Sequence, residues 1–198
     1  MPKITTLSQL DLEKTYSYAD YLTWQLSEIV ELFKGKISAM APAPNVSHQR
    51  IELKLTLEIG NYLKGKRCEV FPAPFDVRLY DRKKSILENR EIQTVVQPDL
   101  CVVCNPDFLD VQGCNGAPDW IIEILSKGNS KREMQTKYAL YQEAGVTEYW
   151  IVYPNDCAIH QFVLNESGRY ELLNMFTDDD IVTPHLFPDL AIKLDDIF

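Results

Sequence analysis

Apolar residues fall in two rhythms along this chain, and each predicts a different element. Ile51, Leu55, Ile59, Tyr62 and Leu63 recur at helical spacing, which predicts a helix capped by Ser47 and ended at Gly65. Elsewhere the apolar residues are contiguous. WIIEIL, from Trp120 to Leu125, and TEYWIVYP, from Thr147 to Pro154, read as strands buried on both faces. Between them Ser130 and Glu133 form an S-x-x-E capping box, opening a helix that Gly145 closes. Strand, helix and strand in about thirty residues predict a right-handed parallel crossover.

The remaining segments add antiparallel structure. Thr15 to Leu32 predicts an N-terminal helix with an approach segment, and Glu31 to Ile37 a hairpin turning at Lys34-Gly35. Glu69 to Tyr80 and Gln93 to Cys104 read as two strands of an antiparallel ribbon, joined by the polar segment DRKKSILENRE. Asn105 to Pro118, rich in Gly, Asn and Pro, is a long connection of the kind that often lies near function. HQFVLNESGRYELLNMF predicts a further hairpin, and LFPDLAIKLDDIF a closing segment. The expected fold class is α/β, as a mixed α+β arrangement: a central mixed sheet flanked by helices, with extra hairpins. The expected organisation is one domain over residues 1–198, with an N-terminal helix and hairpin (1–46), a core (about 47–154) and a C-terminal hairpin and closing segment (155–198).

Composition narrows the function classes. A hydrophobic share of 45% and a charged share of 25% are those of a globular protein. No apolar run approaches a membrane span, and the opening residues lack the apolar core of a signal peptide, so a cytoplasmic location is expected. The net charge of −9 argues against coating nucleic acid through bulk electrostatics, but does not exclude an enzyme whose acidic cluster is neutralised by divalent cations or one with a local basic patch. Cys101 and Cys104 form a C-x-x-C within a strand, where residues three apart point to opposite faces. Reduced core thiols are therefore expected rather than a zinc site.

One position breaks the apolar pattern. Glu123 lies in the middle of WIIEIL, where an ionised carboxylate without a partner is very costly. Asp99 opens the strand DLCVVC, on the face of Cys101 and Val103. If the two strands are neighbours, the carboxylates lie side by side and repel, a conflict that Mg²⁺ removes. Asp99 after Pro98 also reads as a turn or strand-edge residue, the commonest role of Asp there, and Glu123 could instead pair with an arginine in the core. Lys137 falls in the apolar sector of Met134, Tyr138 and Tyr141, so its ammonium either seeks a negative group inward or pairs with Glu133 one turn earlier. His48 and Glu52, one helical turn apart, read as a surface pair, or as a pair that binds a metal or shares a proton. Asp119 is too far along the strand from Glu123 to share an ion and reads as a loop anchor. Arg82, Lys83, Lys84 and Arg90 read as a solvated hairpin end or a phosphate contact. Trp120, Tyr149 and Trp150 read as core.

QPDLCVV (97–103) and GAPDWIIEILSKGNSKREMQTKYALYQEAGVTEYWIVYP (116–154) resemble the diagnostic stretches of a bacterial family of restriction-endonuclease-like proteins, the Uma-two-like family of the PD-(D/E)XK nuclease superfamily. VELFKGKISAMAPAPNVSHQRI and LFPDLAIKLDDIF resemble its beginning and its ending, so the resemblance covers nearly the whole chain. It implies a metal-dependent endonuclease hydrolysing phosphodiester bonds in DNA. Asp99 matches the aspartate of the PD element and Glu123 the second acid. Together with the backbone carbonyl of Ile124 they would hold Mg²⁺, with Mn²⁺ as a substitute. The superfamily's lysine, two residues after the second acid, is replaced here by Leu125; Lys137 matches a lysine supplied from the following helix, to orient the attacking water or stabilise the transition state. Glu133 stands where the family commonly has aspartate. Glu31, His48 and Tyr141 are auxiliary candidates. The implied partners are DNA and, for cutting both strands, a second copy in a homodimer. The alternative is a catalytically inactive nuclease-fold protein that binds nucleic acid or protein.

Overall fold

The computed structural model describes residues 3–39, 45–81, 87–126, 131–177 and 179–198. The chain opens with a 3-10 turn at Leu7–Gln9 and a one-turn helix α1 (Tyr18–Tyr21), then strands β1 (Val30–Phe33) and β2 (Lys36–Ala39). Helix α2 (Val46–Leu63) leads to β3 (Glu69–Pro72), β4 (Val77–Leu79), β5 (Thr94–Val96) and β6 (Leu100–Val103). A 3-10 turn at Pro106–Phe108 precedes β7 (Leu109–Asp110) and β8 (Gly113–Asn115). Next come β9 (Trp120–Ile124), α3 (Lys131–Ala144) and β10 (Glu148–Tyr153). The chain closes with β11 (Ala158–Leu164), β12 (Tyr170–Thr177), β13 (Ile181–Val182), β14 (Ile192–Lys193) and α4 (Leu194–Ile197).

Among the described residues all strands but the β13–β14 pair form two six-stranded mixed sheets, ordered β2-β1-β5-β4-β8-β7 and β12-β11-β10-β9-β6-β3. The ribbon expected from Glu69–Tyr80 and Gln93–Cys104 is antiparallel, but it belongs to both sheets: β4 pairs with β5 in the first and β3 with β6 in the second. Prolines explain the split. Pro72, Pro74 and Pro98 have no N–H to offer a ladder. The register steps by one residue across the break, from Val77 opposite Val96 to Pro72 opposite Leu100. Asp99 stands at this crossing.

The crossover is as expected: β9 and β10 are parallel neighbours on either side of α3. The hairpin β1–β2 turns through Lys34 and Gly35, both at positive φ (51° and 82°), the two-residue geometry that matches strand twist. Apolar residues of the second sheet divide by parity. Leu100, Val102, Trp120, Ile122, Ile124, Trp150 and Val152 pack against Ile51, Leu55 and Ile59 of α2 and the C-terminal segment. Cys101, Val103, Ile121, Tyr149 and Ile151 pack on the opposite face, against Tyr141 and Ala144 of α3 and Val77, Leu79 and Val96 of the first sheet.

Several expectations need correction. The N-terminal helix is the four residues of α1 alone, because the chain then pairs outward: Gln25 N–H donates to the Ile4 carbonyl instead of continuing a helix. The cap of α2 is Asn45, whose side chain accepts from His48 N–H at 2.9 Å; Ser47 lies inside the helix. The connection Asn105 to Pro118 is structured, with β8 pairing parallel to β4. Cys104 is not a reduced core thiol: it forms a disulfide with Cys68, since β3 and β6 are neighbours and these residues lie one step beyond the Glu69–Val103 pair. Cys101, Cys114 and Cys157 are free. Ser130, Arg82, Lys83 and Lys84 lie outside the described residues. Arg90 is exposed and pairs with Glu88. No helix among the described residues is long and apolar enough to cross a membrane.

Candidate active site

Sheet register brings the two acids together. β6 and β9 are antiparallel neighbours with Leu100 opposite Ile122. One step further along this register Asp99 faces Glu123. Asp99 Oδ2 accepts the backbone N–H of Ile124 at 2.7 Å, so the aspartate is clamped to the strand that carries the glutamate. Its Oδ1 lies 3.3 Å from His48 Nε2, in the first turns of α2. His48 is a buried residue rather than half of a surface pair; its Nδ1 is 3.8 Å from Glu52 and has no hydrogen-bonding partner among the described residues.

Glu123 is held from the other side by α3. Lys137 Nζ sits 3.0 and 3.2 Å from its two oxygens, and Tyr141 O–H donates to Oε1 at 2.5 Å. The same ammonium lies 3.1 Å from Glu31 Oε1, on β1 of the first sheet. Glu31 is fully inside, 1% exposed, and Gln97 N–H donates to its Oε1 at 2.9 Å. Lys137, 5% exposed, thus ties one buried carboxylate from each sheet.

Burial and charge act against each other here. Desolvation is the largest influence on Glu123 and outweighs the attraction of Lys137; with repulsion from Asp99 and Glu31 it pushes the carboxyl up to about 7. Burial likewise raises Glu31, against the pull of Lys137. For Lys137 burial works downward but loses to Glu123 and Glu31, so the ammonium is held above the ordinary lysine range. His48 follows the same logic: burial lowers it, Asp99 and Glu52 more than restore it, and the net direction is up. Burial and Asp99 raise Glu52.

Among the described residues the carboxylates of Glu31, Glu52, Asp99 and Glu123 meet the Lys137 ammonium and the His48 imidazole, and Glu133 adds its repulsion to Glu31. Among the described residues no three His, Cys, Asp or Glu side chains are grouped to hold a metal. A shared ion at Asp99 and Glu123 would have only this carboxylate pair from side chains, which fits Mg²⁺, an ion that keeps several waters and takes one or two carboxylates, better than zinc, which takes three or four protein ligands.

Asp99, Glu123, Lys137, Glu31, His48 and Tyr141 all fall in this one cluster. Ile124 adds its N–H to Asp99. Sequence reasoning missed Gln97, whose only signal was its place two residues before Asp99. Asp119 stands apart as a loop anchor, accepting Cys104 N–H at 2.7 Å. Trp120, Tyr149 and Trp150 are core.

Comparison with known proteins agrees with this architecture. A crystal structure titled as "a putative nuclease belonging to DUF820" from Anabaena variabilis superposes with a TM-score of 0.69 at 20% identity, covering 92% of this chain and 97% of that one. At this identity the likeness establishes a shared fold. No curated protein matches the chain. The family model Uma2, described as "Putative restriction endonuclease", matches residues 18–195. With that match spanning all but the two ends, the chain belongs to the Uma2 family.

Proposed function

We propose that this protein is a Mg²⁺-dependent endonuclease that hydrolyses phosphodiester bonds in DNA, and that Asp99, Glu123 and Lys137 carry the reaction. The observation that supports it most is the facing of Asp99 and Glu123 across β6 and β9 with the Lys137 ammonium 3.0 Å from Glu123. Asp99, Glu123 and the backbone carbonyl of Ile124 would hold the ion, with Mn²⁺ able to replace it. When bound, the ion supplies charge to polarise the scissile phosphate and lowers the pKa of a bound water.

The chain's own residues define the rest. Lys137 is held protonated by two carboxylates, so its Nζ can donate a hydrogen bond but cannot accept a proton. Its role is to orient the attacking water through that water's oxygen, or to meet negative charge developing on the phosphoryl oxygens. Tyr141 fixes Glu123 Oε1 and His48 fixes Asp99 Oδ1. Glu31 is a positioning residue that holds Lys137 in place. The substrate class of the family's description and of the structural relative's title supports the choice of nuclease chemistry.

The test is nicking of supercoiled plasmid with Mg²⁺ and with EDTA. Asp99→Asn or Glu123→Gln should abolish Mg²⁺-dependent cleavage, and Lys137→Met should slow it at least a hundredfold, at the lower range of electrostatic contributions. Cleavage undiminished in all three variants refutes the assignment. One observation favours a second reading, a binding module without catalysis: Leu125 stands where the superfamily lysine would, and Lys137 already neutralises Glu123. Calorimetry with Mg²⁺ separates the two, because an inactive scaffold has no need of the ion at this site.

A further inference from the structure

Beside the acidic cluster, on the first-sheet side, is a cavity of about 300 Å³ whose walls include Tyr21, Trp24, Leu26, Val30, Pro74 and Gln97. Two of its walls are continuous with the site. Val30 directly precedes Glu31, and Gln97 donates its backbone N–H to Glu31 Oε1 at 2.9 Å. The size is at the lower end for small-molecule sites, enough for a single heterocycle.

Its chemistry is that of a flat, partly polar ligand. Tyr21 and Trp24 present half-buried rings, with centroids 5.6 Å apart and planes tilted by 51°. The amide of Gln97 has a fixed orientation. Its Nε2 donates to Asp76 Oδ1 at 2.7 Å and toward Tyr21 Oη at 3.4 Å. Asp76 Oδ2 in turn accepts Tyr18 O–H at 2.7 Å. A carboxylate only accepts, so the nitrogen must face Asp76, and the amide oxygen is what Gln97 has to offer a ligand.

We infer that this cavity receives one unstacked nucleobase of the strand being cut, held against Tyr21 and Trp24 and read through a ring or exocyclic N–H that donates to Gln97 Oε1. The inference rests on the nuclease reading for its substrate. Unstacking a base costs a few kcal/mol in a duplex and least in single-stranded or damaged DNA. Such a pocket therefore biases cleavage toward distorted or single-stranded positions. Val30, Glu31 and Gln97 would couple occupancy of the pocket to the placing of Lys137.

The test is equilibrium dialysis of thymidine 5′-monophosphate in EDTA, so that neither metal nor hydrolysis is needed. Thymine has one donor on its pairing edge, N3–H. Saturable binding in the millimolar range or tighter is expected, and deoxyribose 5-phosphate, which lacks the base, should not bind. The N3-methyl nucleotide should bind roughly fivefold more weakly, the loss of about one hydrogen bond, and Gln97→Met should erase that difference. Trp24→Ala should weaken binding roughly 5- to 160-fold, as base–aromatic stacking predicts, and Leu26→Trp should fill the cavity and abolish it. Equal binding of the base-free sugar phosphate, indifference to N3-methylation, or full binding by a folded Leu26→Trp protein overturns the inference. Plasmid cleavage without base binding removes the pocket and leaves the nuclease; base binding without cleavage does the reverse.

Discussion

Lys137→Met deletes the cation that touches buried carboxylates of both sheets while keeping an unbranched side chain of similar length. In metal-free buffer at pH 8 the variant leaves Glu31 (1% exposed) and Glu123 (7% exposed) buried without their shared cation, so each must stay charged at a cost or take up a proton. Removing one partner of a buried ion pair costs about 3–5 kcal/mol. For a protein whose total stability is of order 5–15 kcal/mol, this is a large fraction. At roughly 2–4 °C per kcal/mol for a chain of this size, the melting temperature should fall by about 6–20 °C. The penalty must depend on pH in one direction. At pH 5 Glu123 in the parent protein is already mostly protonated, since its carboxyl is pushed up to about 7. Losing Lys137 there forfeits chiefly the pair with Glu31, so the penalty should shrink by at least about 1 kcal/mol. Urea denaturation followed by circular dichroism at both pH values measures it. The double variant Lys137→Met/Glu31→Gln should recover part of the loss at pH 8, because one uncompensated charge is gone. A penalty under about 1 kcal/mol at pH 8, or one that grows as pH falls, would refute the charge account.

Further outcomes follow from the same geometry. The raised Glu123 carboxyl gives stability that is fully present below its unfolded value of 4.5 and lost as pH rises through about 7. By linkage the loss is about 3 kcal/mol, visible as the difference between parent and Glu123→Gln stability curves from pH 4 to 8. Tyr141→Phe removes the 2.5 Å bond to Glu123 and should cost about 1.5–3 kcal/mol at pH 8, read by the same denaturation. Glu148→Gln weakens the carboxylate that accepts from Trp150 Nε1, Gln161 Nε2 and the N–H groups of His185 and Leu186. Hydrogen exchange at His185 and Leu186 should accelerate while α3 amides stay protected. Cys68→Ser opens a loop with a sequence separation of 36 and should cost about 2–4 kcal/mol, with no further loss on adding reductant.

Much of this arrangement was legible in the residues. Period and parity located β9, α3 and β10, and parity placed Asp99, Cys101 and Val103 on one face and Leu100 and Val102 on the other. The oddity of Glu123 inside WIIEIL marked the site, because a buried carboxylate needs a partner. What stayed hidden was long-range. Nothing local to VELF distinguishes a Glu31 aimed inward from one in water, since strand alternation does not say which face is covered. His48 looked like a surface residue because Glu52 offered it a nearby partner, while its actual partner Asp99 comes from a different element. The Cys68–Cys104 bond required the β3–β6 register, which the prolines obscured. The short extent of α1 was hidden as well, because the aromatic residues between Thr15 and Leu32 do not form one long helix: the rings of Tyr18, Tyr21 and Trp24 pack on one another around a short turn.

The passage of the ribbon from one sheet to the other has a mechanical meaning. Glu31 rides on the first sheet and Glu123 on the second, so the ammonium between them works as a bolt through two plates. Sliding of one plate over the other by an ångström, caused by repacking far from any charge, would pull Lys137 off one carboxylate. Alterations at Pro72 or Pro98, where the strands cross between plates, should therefore reach the chemistry as strongly as changes to residues that touch it.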